Sequence, residues 1–233
     1  MHEFELITWR YRLQYDCMEK KLSLLPTANS NMPISDEEKL EVIENATKAY
    51  EAYLDALRID WRNDPNSADT PRRVAKAFVN DLAQGCYNEA PRITAFPSDG
   101  YDGMVFQGGI PIKSMCSHHH LSFTGVAHVA YIPSTTGKVV GLSKLNRIVE
   151  HFASRPQIQE GLTVQIQTAI EAMCEGNKGV AVEISASHTC ACLRGVKHDG
   201  CEMKTARLSG DFLQDPATRN EFYQFVNQWH MNR

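Results

Sequence analysis

The hydrophobic period of this chain changes at Met104, and that change fixes most of what it can fold into. Upstream, the apolar residues recur as on helices. Ser35-Asp36-Glu37-Glu38 is a capping box, in which the Ser hydroxyl and the Glu three residues on each satisfy a free backbone donor. Leu40, Ile43, Ala46, Tyr50, Leu54 and Leu57 follow at helical spacing and predict a long helix over about 36–58. Thr70-Pro71 offers an N-cap with Pro at the first helical position, ahead of Val74, Ala77, Phe78 and Leu82, with Gly85 as the stop. From Met104 the pattern alternates and favours β-branched residues, from Ile110 to Cys116 and from Phe123 to Ile132, where Val126, His128, Ala130 and Ile132 share one face. Those segments read as strands.

Helices return after the first strand pair. Ser143 is read as the cap of one carrying Leu145, Ile148, Val149 and Phe152; Pro156 interrupts it, and Ile158, Leu162, Ile166, Ile170 and Met173 form the next before Gly176. Val180, Val182, Ile184 and Ala186 alternate into His188, Cys190, Cys192 and Arg194, and Asp215-Pro216 starts a last helix with Phe222, Phe225, Val226 and Trp229. Strands joined by short connections pair antiparallel, so the expected class is α+β. Residues 1–34, with the breaker-rich Pro26 to Pro33, stay unassigned; 35–100 form a helical region and 101–233 the sheet-bearing domain.

Composition narrows the function classes. No run approaches the roughly 20 apolar residues that span a bilayer, and the Met1-His2-Glu3-Phe4-Glu5 start lacks the basic and apolar regions of a secretion signal, so the expectation is a cytoplasmic protein without a membrane partner. The seven cysteines are odd in number and dispersed, which fits reduced thiols, some of them available to a metal, better than a disulfide framework. A net charge of -4 and a pI near 6.1 argue against nucleic acid as a partner while leaving room for a local basic pocket.

The local signals that carry chemistry are Cys116-Ser117-His118-His119-His120 and His188-Thr189-Cys190-Ala191-Cys192. Thiolate and imidazole are zinc's natural ligands, and three of them leave a fourth position for water. Cys116, His119 and one of Cys190 or Cys192 would make such a site, and the remaining histidines become proton carriers. If residues 188–194 stay extended, residues two apart lie on one face about 6.6 Å apart, so His188, Cys190 and Arg194 would address one cavity. Spacing alone allows a closed structural zinc site, or core cysteines beside a solvated histidine run, equally well.

Four stretches, in order, are Cys116 to His120, Gly141-Leu-Ser-Lys-Leu-Asn-Arg147, Arg155-Pro-Gln-Ile-Gln-Glu160 and His188-Thr-Cys-Ala-Cys-Leu-Arg194-Gly195, with Thr70-Pro-Arg-Arg-Val-Ala-Lys76 upstream. Together they resemble the GTP cyclohydrolase I family over roughly residues 36–230. The resemblance implies the tunnelling fold, an antiparallel sheet with helices on one face plus an N-terminal helical extension, and a zinc-dependent opening of the GTP imidazole ring to dihydroneopterin triphosphate and formate. It assigns Cys116, His119 and Cys190 to zinc and proton transfer to His118 and His188. It gives Glu160 and Gln159 to the guanine end, Ser143 to the ribose, and Lys144, Arg147, Arg194, Arg73 and Lys76 to the triphosphate. It also implies a homo-oligomer, a decamer of two pentamers with pockets shared between subunits. Rival readings are a related tunnelling-fold nitrile reductase and a silent zinc-stabilised subunit; the presence of both His118 and His188 argues against silence. Departures from the family pattern fall at Ser117, at Gly161, at Gln107-Gly108-Gly109 and at His120.

Overall fold

A computed structural model describes residues 23–232; residues 1–22 of the unassigned N-terminal segment lie outside the described residues. Helix α1 (Asp36–Ala56) begins on the expected capping box, with both reciprocal hydrogen bonds formed at Ser35 and Glu38. Of its apolar stripe only Ile43 and Leu54 are buried, while Leu40 and Leu57 face outward. The second helix is shorter than the spacing predicts. α2 (Thr70–Ala77) passes into a π-helical turn at Phe78–Leu82 and then into α3 (Gln84–Tyr87). Ile43, Ala75 and Val79 pack these elements together.

The sheet is built from β2 (Val105–Cys116), β3 (Ser122–Pro133), β5 (Pro156–Gln157), β6 (Asn177–His188) and β7 (Glu202–Leu208), in the order β5-β2-β3-β6-β7. Short β1 (Ala95–Pro97) and β4 (Lys138–Val140) pair apart from it. The β2–β3, β3–β6 and β6–β7 ladders are antiparallel, as expected, and only the two-residue β5 joins β2 in parallel. The spacing does not predict strand β7: its apolar residues, Met203, Ala206 and Leu208, do not keep one parity, so no alternation marks it.

Alternation along the central strands sends Phe123, Ala127, Val129 and Tyr131 against α4 (Leu142–Ala153) and α5 (Gln159–Met173), which contribute Leu145, Ile148, Leu162 and Ile166 to the main core. The neighbours of opposite parity, Ala130, Ile132 and Ala181, meet Phe212 of α7 (Asp211–Gln214) and Phe222 and Val226 of α8 (Pro216–Met231). The α+β class stands, and the C-terminal helix adds cover to the second face, which a sheet with helices on one face leaves out. Ser143 is not the cap of α4: Gly141 occupies that place and the helix starts at Leu142. The two-glycine departure also has a physical reason. β2 changes register between Gln107 and Ile110, Gly109 takes φ +71°, and a Cβ there would lie 2.0 Å from the Trp229 indole.

Candidate active site

Two motifs distant in sequence meet because β3 pairs with both β2 and β6. Cys116 ends β2 and is buried. The following turn is closed by the Cys116 amide donating to Leu121 O (2.8 Å) and the His120 amide donating to Cys116 O (2.9 Å), while the Ser117 amide donates to Gln157 O (2.9 Å). His120 absorbs the reversal at φ 52°, and its ring lies 5.7 Å from that of Phe78. Across the sheet, His188 ends β6 opposite Phe123. The chain then does not stay extended: Thr189–Cys192 is the helical turn α6, with the Thr189 hydroxyl donating to Ser122 O (2.6 Å). The strand geometry expected for 188–194 is therefore replaced by a turn that carries Cys190 back toward Cys116.

The ligand-type atoms of Cys116, His119 and Cys190 lie within 4.8 Å of one another. Pairwise distances alone would not choose between histidines, since His118 Nδ1 is 3.7 Å and His119 Nδ1 4.0 Å from Cys116 Sγ; the mutually close trio contains His119. Cys192 points elsewhere, its sulfur 3.5 Å from Ser187 Oγ. Burial raises the Cys190 thiol above its ordinary pKa, and the neighbouring Cys116 adds to this. Two thiols and an imidazole converging from a strand end and a helical turn, with His119 exposed, form a donor set that fits zinc with one open position.

His188 packs its ring on Phe123, with centroids 4.4 Å apart and an interplanar angle of 11°, and its Nε2 is 2.8 Å from Gln159 Oε1. Burial holds this imidazole below the ordinary histidine range, and the Glu160 carboxylate opposes that effect. Glu160 is exposed in the first turn of α5. Gln159 is not free to meet a ligand: it is buried and its amide is taken up by four partners within the chain. Ser143 and Arg147 are exposed on α4, where Lys144 Nζ donates to Arg92 O (3.0 Å). Arg147 lines a groove with Gln84, Glu89 and Glu150. Arg194 is exposed just beyond α6. On α2, Lys76 is exposed and Arg73 pairs with Asp69 at 3.2 Å. Phe123, stacked on His188, and Gln157, whose carbonyl accepts from the Ser117 amide, belong to the site although no motif in the sequence marks them as functional. Only the first has a visible signal, an aromatic opening the strand that faces His188.

The family model described as GTP cyclohydrolase I matches residues 46–227. The chain belongs to the GTP cyclohydrolase I family. Curated relatives agree. The chain is 48% identical over 182 residues to GTP cyclohydrolase 1 of Pseudoalteromonas translucida, covering 77% of this chain and 96% of the relative. It is 47% identical over 181 residues to that of Alkalilimnicola ehrlichii, covering 75% and 95%. The figure for Aeromonas salmonicida is 41% over 191 residues, covering 81% and 84%. A solved structure of the archaeosine synthase QueF-Like covers 46% of this chain and 93% of its own at 20% identity and TM-score 0.36. The family match spans α2, every strand of the main sheet and both halves of the thiol and imidazole cluster. No helix among the described residues is long and apolar enough to cross a membrane.

Proposed function

We propose that this member of the GTP cyclohydrolase I family binds one zinc ion per subunit through Cys116, His119 and Cys190 and converts GTP to 7,8-dihydroneopterin triphosphate and formate. The observation that carries the reading is the convergence of those three donor atoms within 4.8 Å, in a chain matched by the family model across both motifs. Zinc bound there supplies a coordinated water whose pKa falls to about 7, suited to hydrolysis at an electron-poor carbon such as guanine C8.

The chain's own residues do the remaining work. His118, beside Cys116 Sγ at 3.7 Å, and His188 hold and move protons at N7 and N9 of the purine, so that each nitrogen departs as a neutral group. The Glu160 carboxylate accepts from guanine N1–H and the exocyclic amine, two donors that a single carboxylate can engage together. Lys144, Arg147, Arg194, Arg73 and Lys76 offer cationic donors to the triphosphate, and Ser143 a hydroxyl to the ribose. That these groups are mostly surface-exposed supports a pocket completed by another subunit, as do the exposed Leu40 on α1 and Leu57 at its C-cap. The proposal includes a homo-oligomer, with the decamer of two pentamers taken from what the family resemblance implies.

The test is metal-dependent turnover. Protein stripped by a chelator should lose GTP-dependent formate release and recover it with about one zinc per chain; full turnover by the stripped protein, or none by the reloaded one, would refute the reading.

A further inference from the structure

The side chain of Gln159 is buried at the start of α5, at 1% exposure, and every polar atom on it is engaged. Its Nε2 lies 2.9 Å from Met203 O, 3.1 Å from Ile184 O and 3.2 Å from Thr205 Oγ1. Two of those partners are backbone carbonyls, which only accept. The amide end facing them must be the NH2 group, so the orientation follows from the chemistry of its neighbours.

The hydroxyls beside it fall into line. Thr163 Oγ1 donates to Gln159 O (2.8 Å), so in its 2.6 Å contact with Thr205 Oγ1 it is the acceptor. Thr205 donates there, and its own lone pairs face Gln159. With NH2 pinned by β6 and β7, the opposite end, Oε1, points at His188 Nε2 from 2.8 Å. An amide oxygen cannot donate. The proton in that hydrogen bond therefore belongs to His188 Nε2, and the Phe123 ring stacked on the imidazole resists the flip that would put Cε1 in place of Nε2.

We propose that Gln159 is a positioning residue that holds His188 as its Nε2–H tautomer, leaving Nδ1 as the atom that takes and returns a proton. This deepens the proposed function and rests on His188 being its proton carrier. A histidine's reactive nitrogen is set by the hydrogen bond its other nitrogen makes, and here that bond is fixed by two strands, β6 and β7, through one glutamine.

The test uses the zinc-loaded protein with 15N-labelled histidine, His188 being assigned by comparison with His188→Gln. The wild type should show a protonated Nε2 and a bare Nδ1 at neutral pH. In Gln159→Met, which keeps length and removes both polar ends, the signals should move toward a mixture of tautomers. Its kcat should fall about 10- to 100-fold, the range known for groups that orient metal-ligating histidines, with KM for GTP and zinc content little changed.

A wild-type His188 with its proton on Nδ1 overturns the proposal without any variant. So does a Gln159→Met protein with unaltered kcat. His188→Ala separates this from the parent reading: normal turnover there refutes the role of His188 itself. Loss of turnover there, beside a fully active Gln159→Met, refutes only the role given to Gln159.

Discussion

Cys190 and Cys192 are separated by one alanine, and the helical turn at Thr189–Cys192 sends their sulfurs to different neighbours. Metal analysis should therefore show loss of zinc in Cys116→Ser and Cys190→Ser and retention in Cys192→Ser; a reversal between Cys190 and Cys192 would contradict the assignment. His118→Ala and His188→Ala should keep the metal and lose about 10²- to 10⁴-fold in formate release. Glu160→Ala should weaken GTP binding by roughly 1–3 kcal/mol, the cost of leaving buried donors unpaired, measurable by titration. At this scale the ligand types were legible in the sequence because thiol and imidazole chemistry is specific to few ions. The choice of Cys190 over Cys192 came from the family resemblance and not from spacing, since it depends on a turn that the alternating pattern concealed. Gln159 was legible only as a neighbour of Glu160: which way a glutamine points is set by carbonyls on β6 and β7, and β7 left no periodic trace.

Among the elements, those with local chemistry at their ends matched the sequence best. The capping box of α1 and the Asp215 cap of α8, whose carboxylate accepts from the Ala217 and Thr218 amides, are decided within four residues. Ser35→Ala should lower stability by about 1 kcal/mol, read from the denaturation midpoint. Gly109 is set instead by tertiary contact, with the Trp229 indole of α8 lying over the β2 register shift. Gly109→Val combines a left-handed backbone, at about 1–2 kcal/mol, with overpacking at about 1–3 kcal/mol, so a loss of about 2–5 kcal/mol is expected; native-like stability would show that the indole moves aside. By contrast, a Cβ at Gly161 would meet Ile158 only at ordinary contact distance, 3.4 Å. Among the described residues, the side chain missing there makes no room for a neighbour.

On the scale of the whole molecule, buried His128 and half-buried His151 tie stability to acid. His128 is fully buried with neither ring nitrogen partnered among the described residues, and its pKa is lowered to about 4 by burial first and by His230 and Lys204 second. His151 is also lowered to about 4, by burial and then by Arg155, which donates to its ring nitrogen. Both are neutral in the fold, so the unfolded chain binds more protons between about pH 6.5 and 4, and stability falls as pH drops through that window. Each contributes on the order of 3 kcal/mol across it. His128→Leu should flatten this acid limb in pH-dependent unfolding; an unchanged limb would show that His128 is protonated within the fold. Assembly is tested by complementation: His188→Ala co-assembled with variants of the Arg73 and Lys76 group should regain partial activity if pockets draw on two subunits, and a fully active monomer would refute sharing. The measurement closest to the central claim is the fate of the purine C8 atom. With GTP labelled at C8, the zinc-loaded protein should release one labelled formate for each fluorescent pterin formed after oxidation, and Cys190→Ser should release none. Labelled carbon retained in the nucleotide, or guanine or phosphate released in its place, would contradict it.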